Sequence, residues 1–181
     1  MSTLVSPTLR YEASYRDAMA EFVAEGRAQE LRTLPDHATF AAFVAELHEY
    51  SCGHALPSGW VPMSTWWLVE GDQFVGKLEV RHHLTDALRR VGGHVGYSVR
   101  PSMRRRGFGT EMLALALPRC RELGLERLLI TCDTTNVWSR SIIEANGGVL
   151  ENLISIGGGV MKMRYWIDLA GLLDDAPGPA G

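Results

Sequence analysis

Residues Arg100 to Met112 read RPSMRRRGFGTEM, with four arginines and two glycines in thirteen positions. Three chemistries compete for such a stretch: a solvated charged loop, a nucleic-acid patch, or a cradle for a small anion. The apolar alternation of GGHVGYSVR, residues 92–100, predicts a strand before it, and GTEMLALALPRCRELG predicts a helix after it. A strand-to-helix turn presents unpaired N–H groups at the positive end of the helix dipole. Gly107 and Gly109 would let a phosphate approach the backbone, and Arg104, Arg105 and Arg106 could add charge-assisted hydrogen bonds. The chemistry fits a pyrophosphate. It is not a Walker loop, because Gly109 is followed by Thr110 and Glu111, and a dinucleotide fingerprint would need glycine where Met112 stands.

Composition narrows the choice. The chain has 181 residues, a formal net charge of -3, 46% hydrophobic and 22% charged residues, which describes one globular domain. Nucleic-acid binding through the arginines is disfavoured by the missing basic excess. Cys52, Cys120 and Cys132 are odd in number and widely spaced, so a disulfide framework is not expected and a reducing, cytoplasmic setting is. The N-terminus lacks the pattern of a signal peptide, and no apolar run is long enough to span a bilayer. No metal site is expected, since His48, Cys52 and His54 lack both a zinc spacing and a fourth ligand.

The elements that must position the turn follow from periodicity. TLRYEA, residues 8–13, reads as a first strand. A helix follows, capped by Ser14, with Tyr15, Ala18, Met19, Phe22 and Val23 on its apolar face. PDHATFAAFVAELHEY, residues 35–50, repeats the helical pattern. After a loop, STWWLVE, the turn Gly71-Asp72 and QFVGKLEVRHHL form a hairpin. The helix after the basic turn buries Leu113, Leu117 and Cys120 and should kink at Pro118. LERLLITCD is a strand, NVWSRSIIEANGG a short helix, and VLENLISI with VMKMRYWIDL a closing hairpin around three glycines. The order is α/β with a mixed, mostly antiparallel sheet, including one parallel crossover. The domain is expected over residues 1–172, with 173–181 a disordered tail.

Arg104-Arg105-Arg106-Gly107-Phe108-Gly109 resembles the Arg/Gln-x-x-Gly-x-Gly/Ala motif of the GNAT N-acetyltransferase superfamily. VGYSVRP resembles its strand that pairs with pantetheine, and LLITCDTTNVWSRSIIEANGG its second signature; the element order also agrees. The resemblance implies the GNAT fold and acetyl-CoA as co-substrate. It implies that Val99 pairs with the pantetheine arm, that residues Arg104, Arg105, Arg106, Gly107, Phe108, Gly109 and Thr110 hold the pyrophosphate, and that Asn136 and Ser139 lie beside the arm. One departure is clear. Many members carry a tyrosine seven residues after that asparagine, as general acid toward the leaving thiolate, and here the position is Ile143.

The reaction so implied is direct attack of a primary amine on the thioester, which needs a base and an oxyanion donor. The candidate catalytic groups are Glu79, His94 and Tyr97, with Cys132 as another group near the site. His94 has a suitable ordinary pKa, but alternation places it opposite Val95, Tyr97 and Val99 unless Gly92 and Gly93 introduce a bulge. Arg81 and His83 could bind an anionic group of the substrate, and the loop of Trp60 could wall an amine pocket. The expected acceptor is a small amine or amino-acid-like molecule. A non-catalytic acyl-CoA sensor and a protein or peptide acetyltransferase are the alternatives, and a homodimer could form through the final hairpin.

Overall fold

The computed structural model describes residues 1–31 and 39–170; the expected start of the second helix and the C-terminal tail lie outside the described residues. Four strands form one sheet in the order β1 (Ser2–Val5), β2 (Met63–Glu70), β3 (Gln73–Arg81), β4 (Val95–Val99), every pair antiparallel. The other three, β5 (Arg127–Asp133), β6 (Val149–Ser155) and β7 (Met161–Asp168), form a second antiparallel sheet in the order β5-β7-β6. The helices are α1 (Glu12–Ala24), α2 (Phe40–Ser51), α3 (Asp86–Arg90), α4 (Phe108–Glu122) and α5 (Val137–Ala145).

Burial on both faces explains why β2 and β3 read as almost continuous apolar runs. On one face Trp67, Val69 and Phe74 pack with Tyr15, Ala18 and Phe22 of α1 and Phe40, Phe43 and Leu47 of α2. On the other, Trp66, Leu68, Leu78 and Val80 pack with Met112, Leu113, Ala116, Leu117 and Cys120 of α4. The second cluster continues through Leu128 and Ile130 to Tyr165 and Ile167, so it joins the two sheets. The turn at Gly71-Asp72, the closing hairpin and the buried stripe of α4 follow the sequence reading. α4 runs on through Pro118 to Glu122.

Several expectations change. The first strand is Ser2–Val5; residues Leu9–Tyr11 make a 3-10 turn that leads straight into α1, whose N-cap is Tyr11. Ser14 lies inside that helix, where its hydroxyl accepts the Phe74 N–H at 2.9 Å and an Arg100 N–H at 3.2 Å. Val23 is exposed. The connection before β4 contains the one-turn helix α3, capped by Thr85.

The main correction concerns the parallel crossover. β4 and β5, joined by α4, do not zip into a ladder; they meet at one end, where His94 N–H donates to Leu129 O at 2.7 Å. Gly93 makes the approach possible: its φ is +61°, and a Cβ there would come within 2.3 Å of Leu129 O. Beyond that contact both strands border an open cleft.

Candidate active site

The cleft between β4 and β5 has a volume of about 900 Å³ and continues over the N-terminus of α4. At that end the chain leaves β4 through Pro101–Met103 and turns at Arg105 (φ +64°) and Gly107 (φ +85°). Left-handed residues in a turn gather successive N–H groups into an anion-binding concavity. A non-glycine there costs about 1–2 kcal/mol, so Arg105 holds local strain at the site. The first helical bond of α4 is Glu111 N–H to Gly107 O, at 3.1 Å. The N–H groups of Phe108, Gly109 and Thr110, all on the cleft, therefore have no intrahelical acceptor. Gly109 has a second role, since a Cβ there would sit 2.6 Å from Ile142 Cδ1 of α5.

The arginines divide by partner. Arg100 binds Glu21 at 2.7 Å and Arg104 binds Glu25 at 2.8 Å, both on or just after α1. Arg104 also lies over the Phe22 ring, and its Nε donates to Val99 O at 3.1 Å. Val99, which the resemblance pairs with a pantetheine arm, lies on the cleft. Arg106 is outside the described lining; it stacks over Phe108 and approaches Glu70 at 3.8 Å. Arg105 has no carboxylate partner among the described residues, and it lies on the cleft over the Trp138 ring. Most of the basic cluster thus ties the turn to α1 and β2, whereas Arg105 lines the cleft without such a tie.

The β5 wall carries Thr131, Cys132 and Asp133, with Asp133 paired to Lys162 of β7 at 2.7 Å. Asn136 caps α5 by accepting the Ser139 N–H at 3.0 Å. The Tyr97 hydroxyl crosses the cleft to Ser139 Oγ at 2.8 Å. Burial pushes the phenol pKa up to about 12, so it stays protonated. Burial likewise raises the Cys132 thiol pKa. Ile143, in place of the expected tyrosine, is fully buried in the core.

Alternation on β4 places Ser98 on the face toward α1, opposite Tyr97 and Val99. Ser98 Oγ donates to Glu30 Oε2 at 2.9 Å, and Glu30 also accepts from Arg27 at 2.9 Å. Both Glu30 and Arg27 line the cleft. Neither was legible in the sequence, because GRAQE carries no motif and reaches β4 only through the packing of α1. Glu79 lies on the same face of the sheet, paired with Lys77 at 2.9 Å and set opposite Gly96 in the β3–β4 register. It borders an enclosed spot with Tyr15, Thr65 and Trp67, not the cleft itself. A Cβ on Gly96, which lines the cleft and faces Glu79 in register, would meet nothing within 4 Å.

Four expected groups lie elsewhere. His94 is buried beside Trp166, and its Nδ1 accepts the Leu129 N–H at 2.9 Å. Burial, with Arg89, Arg81 and Arg127 nearby, pushes its pKa down to about 4. It is a neutral pin between β4 and β5, off the cleft. Arg81 is turned to the backbone, donating to Gly93 O at 3.2 Å, and burial lowers its pKa. His83 is exposed beyond the end of β3, and Trp60 packs against Tyr50 away from the cleft. Among the described residues no group of three or more His, Cys, Asp or Glu could hold a metal ion, and no helix is long and apolar enough to cross a membrane.

Residues 9–149 match the model of the acetyltransferase (GNAT) domain. The chain belongs to the GNAT acetyltransferase family. It is an acetyl-CoA-dependent N-acetyltransferase. No curated protein sequence matches it. Among solved structures it is similar to the microcin C7 self-immunity acetyltransferase MccE, solved with acetyl-CoA and AMP (TM-score 0.64, 14% identity, 92% of each chain covered). It is also similar to RimL, a ribosomal L7/L12 alpha-N-protein acetyltransferase in complex with coenzyme A (TM-score 0.65, 13% identity, 93% of this chain and 94% of that one). A third is the spermidine/spermine N-acetyltransferase SpeG from Vibrio cholerae (TM-score 0.61, 14% identity, 98% and 100% covered). At these identities the likeness is one of fold.

Proposed function

We propose that this GNAT enzyme acetylates a primary amine of a small or amino-acid-like molecule. The observation that supports it is one cleft lined both by the N-terminus of α4 and by Tyr97, Ser98, Arg27 and Glu30. The pyrophosphate of acetyl-CoA would bind the N–H groups of Phe108, Gly109 and Thr110 with Arg105, and the arm would follow β4 past Asn136 and Ser139. The acceptor nitrogen attacks the thioester carbonyl, a C–N bond forms, the C–S bond breaks, and the nitrogen loses a proton. Glu79 is the proposed base, reached by water through the space beside Gly96. Tyr97 faces the leaving sulfur. A phenol with a pKa near 12 will not hand its proton to a thiolate whose acid has a pKa of about 8.5. It stabilises that thiolate by a hydrogen bond, the task left open by Ile143.

Thiol release from acetyl-CoA across polyamines, amino acids, aminoglycosides and short peptides tests the reading. Turnover confined to peptides would replace the small acceptor with a protein. Tight coenzyme A binding with no thiol released by any amine would make the protein a sensor.

A further inference from the structure

Two carboxylates line the cleft among the described residues, Asp133 and Glu30, and their partners differ in kind. Asp133 is bound to Lys162 on the adjoining strand, directly opposite in register, with the lysine side chain mostly covered. Glu30 is bound to Arg27 three residues earlier at the same short 3-10 turn, and that arginine side chain is 48% exposed. An exposed pair of this sort is worth under about 1 kcal/mol, so the arginine is readily replaced by another cation. The carboxylate itself is fixed from the other side. Ser98 holds it against β4, on the strand that also carries Tyr97 and Val99 to the cleft.

The charge state narrows the role. Burial alone would raise the Glu30 pKa, but hydrogen bonds from Arg27 and Ser98 and the charge of Lys77 outweigh it and hold the group below its ordinary value. A carboxylate that stays ionised is a poor acceptor for the proton of the reacting amine. It suits a cation that remains charged throughout. The attacking nitrogen must be neutral, so the charged group is a second nitrogen of the acceptor. Resting on the acetyltransferase reading above, we propose that Glu30 is the acceptor-recognising carboxylate, taking the distal ammonium of a diamine in place of Arg27.

Calorimetric titration of 1,4-diaminobutane and 1-aminobutane in the presence of coenzyme A tests it on the wild type, Glu30→Gln, Glu30→Asp and Arg27→Ala. The wild type should hold the diamine about tenfold more tightly than the monoamine, the discrimination expected of one charge-assisted contact. Glu30→Gln should remove that preference, Glu30→Asp should restore part of it, and Arg27→Ala should strengthen diamine binding. Thermal midpoints of the variants serve as the control for folding. Equal binding of both amines by the wild type, or a preference that survives in Glu30→Gln, overturns the proposal. A Glu30-dependent preference without thiol release from acetyl-CoA would instead sink the transfer reading and leave the recognition site standing.

Discussion

The two ends of the cleft are built from different materials. The end proposed for the pyrophosphate is a single stretch, Arg104 to Thr110, which offers the unpaired backbone N–H donors at the start of α4. The end proposed for the acceptor is lined by Arg27 and Glu30 of the 3-10 turn and by the β4 residues Gly96 to Ser98, with the β3 pair Lys77 and Glu79 beside it in register rather than on it. A contiguous backbone site keeps its geometry when most side chains change, and fails when the backbone is blocked. A side-chain site behaves the other way, since each member can be removed alone.

That contrast can be broken most sharply at Gly107. Gly107→Val forces a β-branched residue into a left-handed conformation and places a side chain beside the exposed amides. The strain and one lost charged hydrogen bond together amount to about 3 kcal/mol, so calorimetry should show coenzyme A binding weakened at least about hundredfold. On the acceptor side, Glu79→Gln should lower kcat by about a hundredfold with coenzyme A affinity unchanged, the lower end of the contribution of a general base. A retained kcat would remove Glu79 from the mechanism.

Smaller effects sharpen the comparison. Arg105→Ala should weaken coenzyme A binding about tenfold, whereas Arg106→Ala, off the cleft, should change it by less than about twofold. Equal losses would mean that the cradle works by diffuse charge. His94 offers a test through stability. Its folded pKa of about 4 lies below the ordinary value of 6.5, so the folded state favours the neutral ring. The stabilisation is full above about pH 6.5 and declines as the pH falls toward 4, by up to about 3 kcal/mol. Thermal midpoints from pH 7 to pH 4 should show that decline in the wild type. His94→Gln, which keeps an acceptor for Leu129 N–H, should flatten it, with the neutral-pH profile of kcat unmoved.

Residues that act locally were legible in the sequence. The strand, basic turn and helix around Gly107 are contiguous, and their patterning and glycines specify the cradle without reference to the rest of the chain. The same holds for Asn136, whose capping of α5 is a bond to a residue three positions on. The first strand was misplaced for a related reason. The alternation at residues 8–13 suits a strand, yet Tyr11 and Tyr15 are buried by packing against α2 and β2, which a helix satisfies better.

What the sequence by itself determined is the strand, glycine turn and helix around Gly107, the two-faced apolar sheet and the helices that cover it, because each rests on short-range periodicity or on backbone freedom. The tertiary structure decided the rest. Alternation correctly put His94 opposite Tyr97, but only the meeting of β4 and β5 at Gly93 turned it into a buried pin. Only the seating of α1 against β4 matched Arg100 and Arg104 to Glu21 and Glu25, and brought Glu30 to Ser98 across 68 residues of chain. Such pairings depend on distances in space between segments far apart in the chain, and no local pattern encodes them.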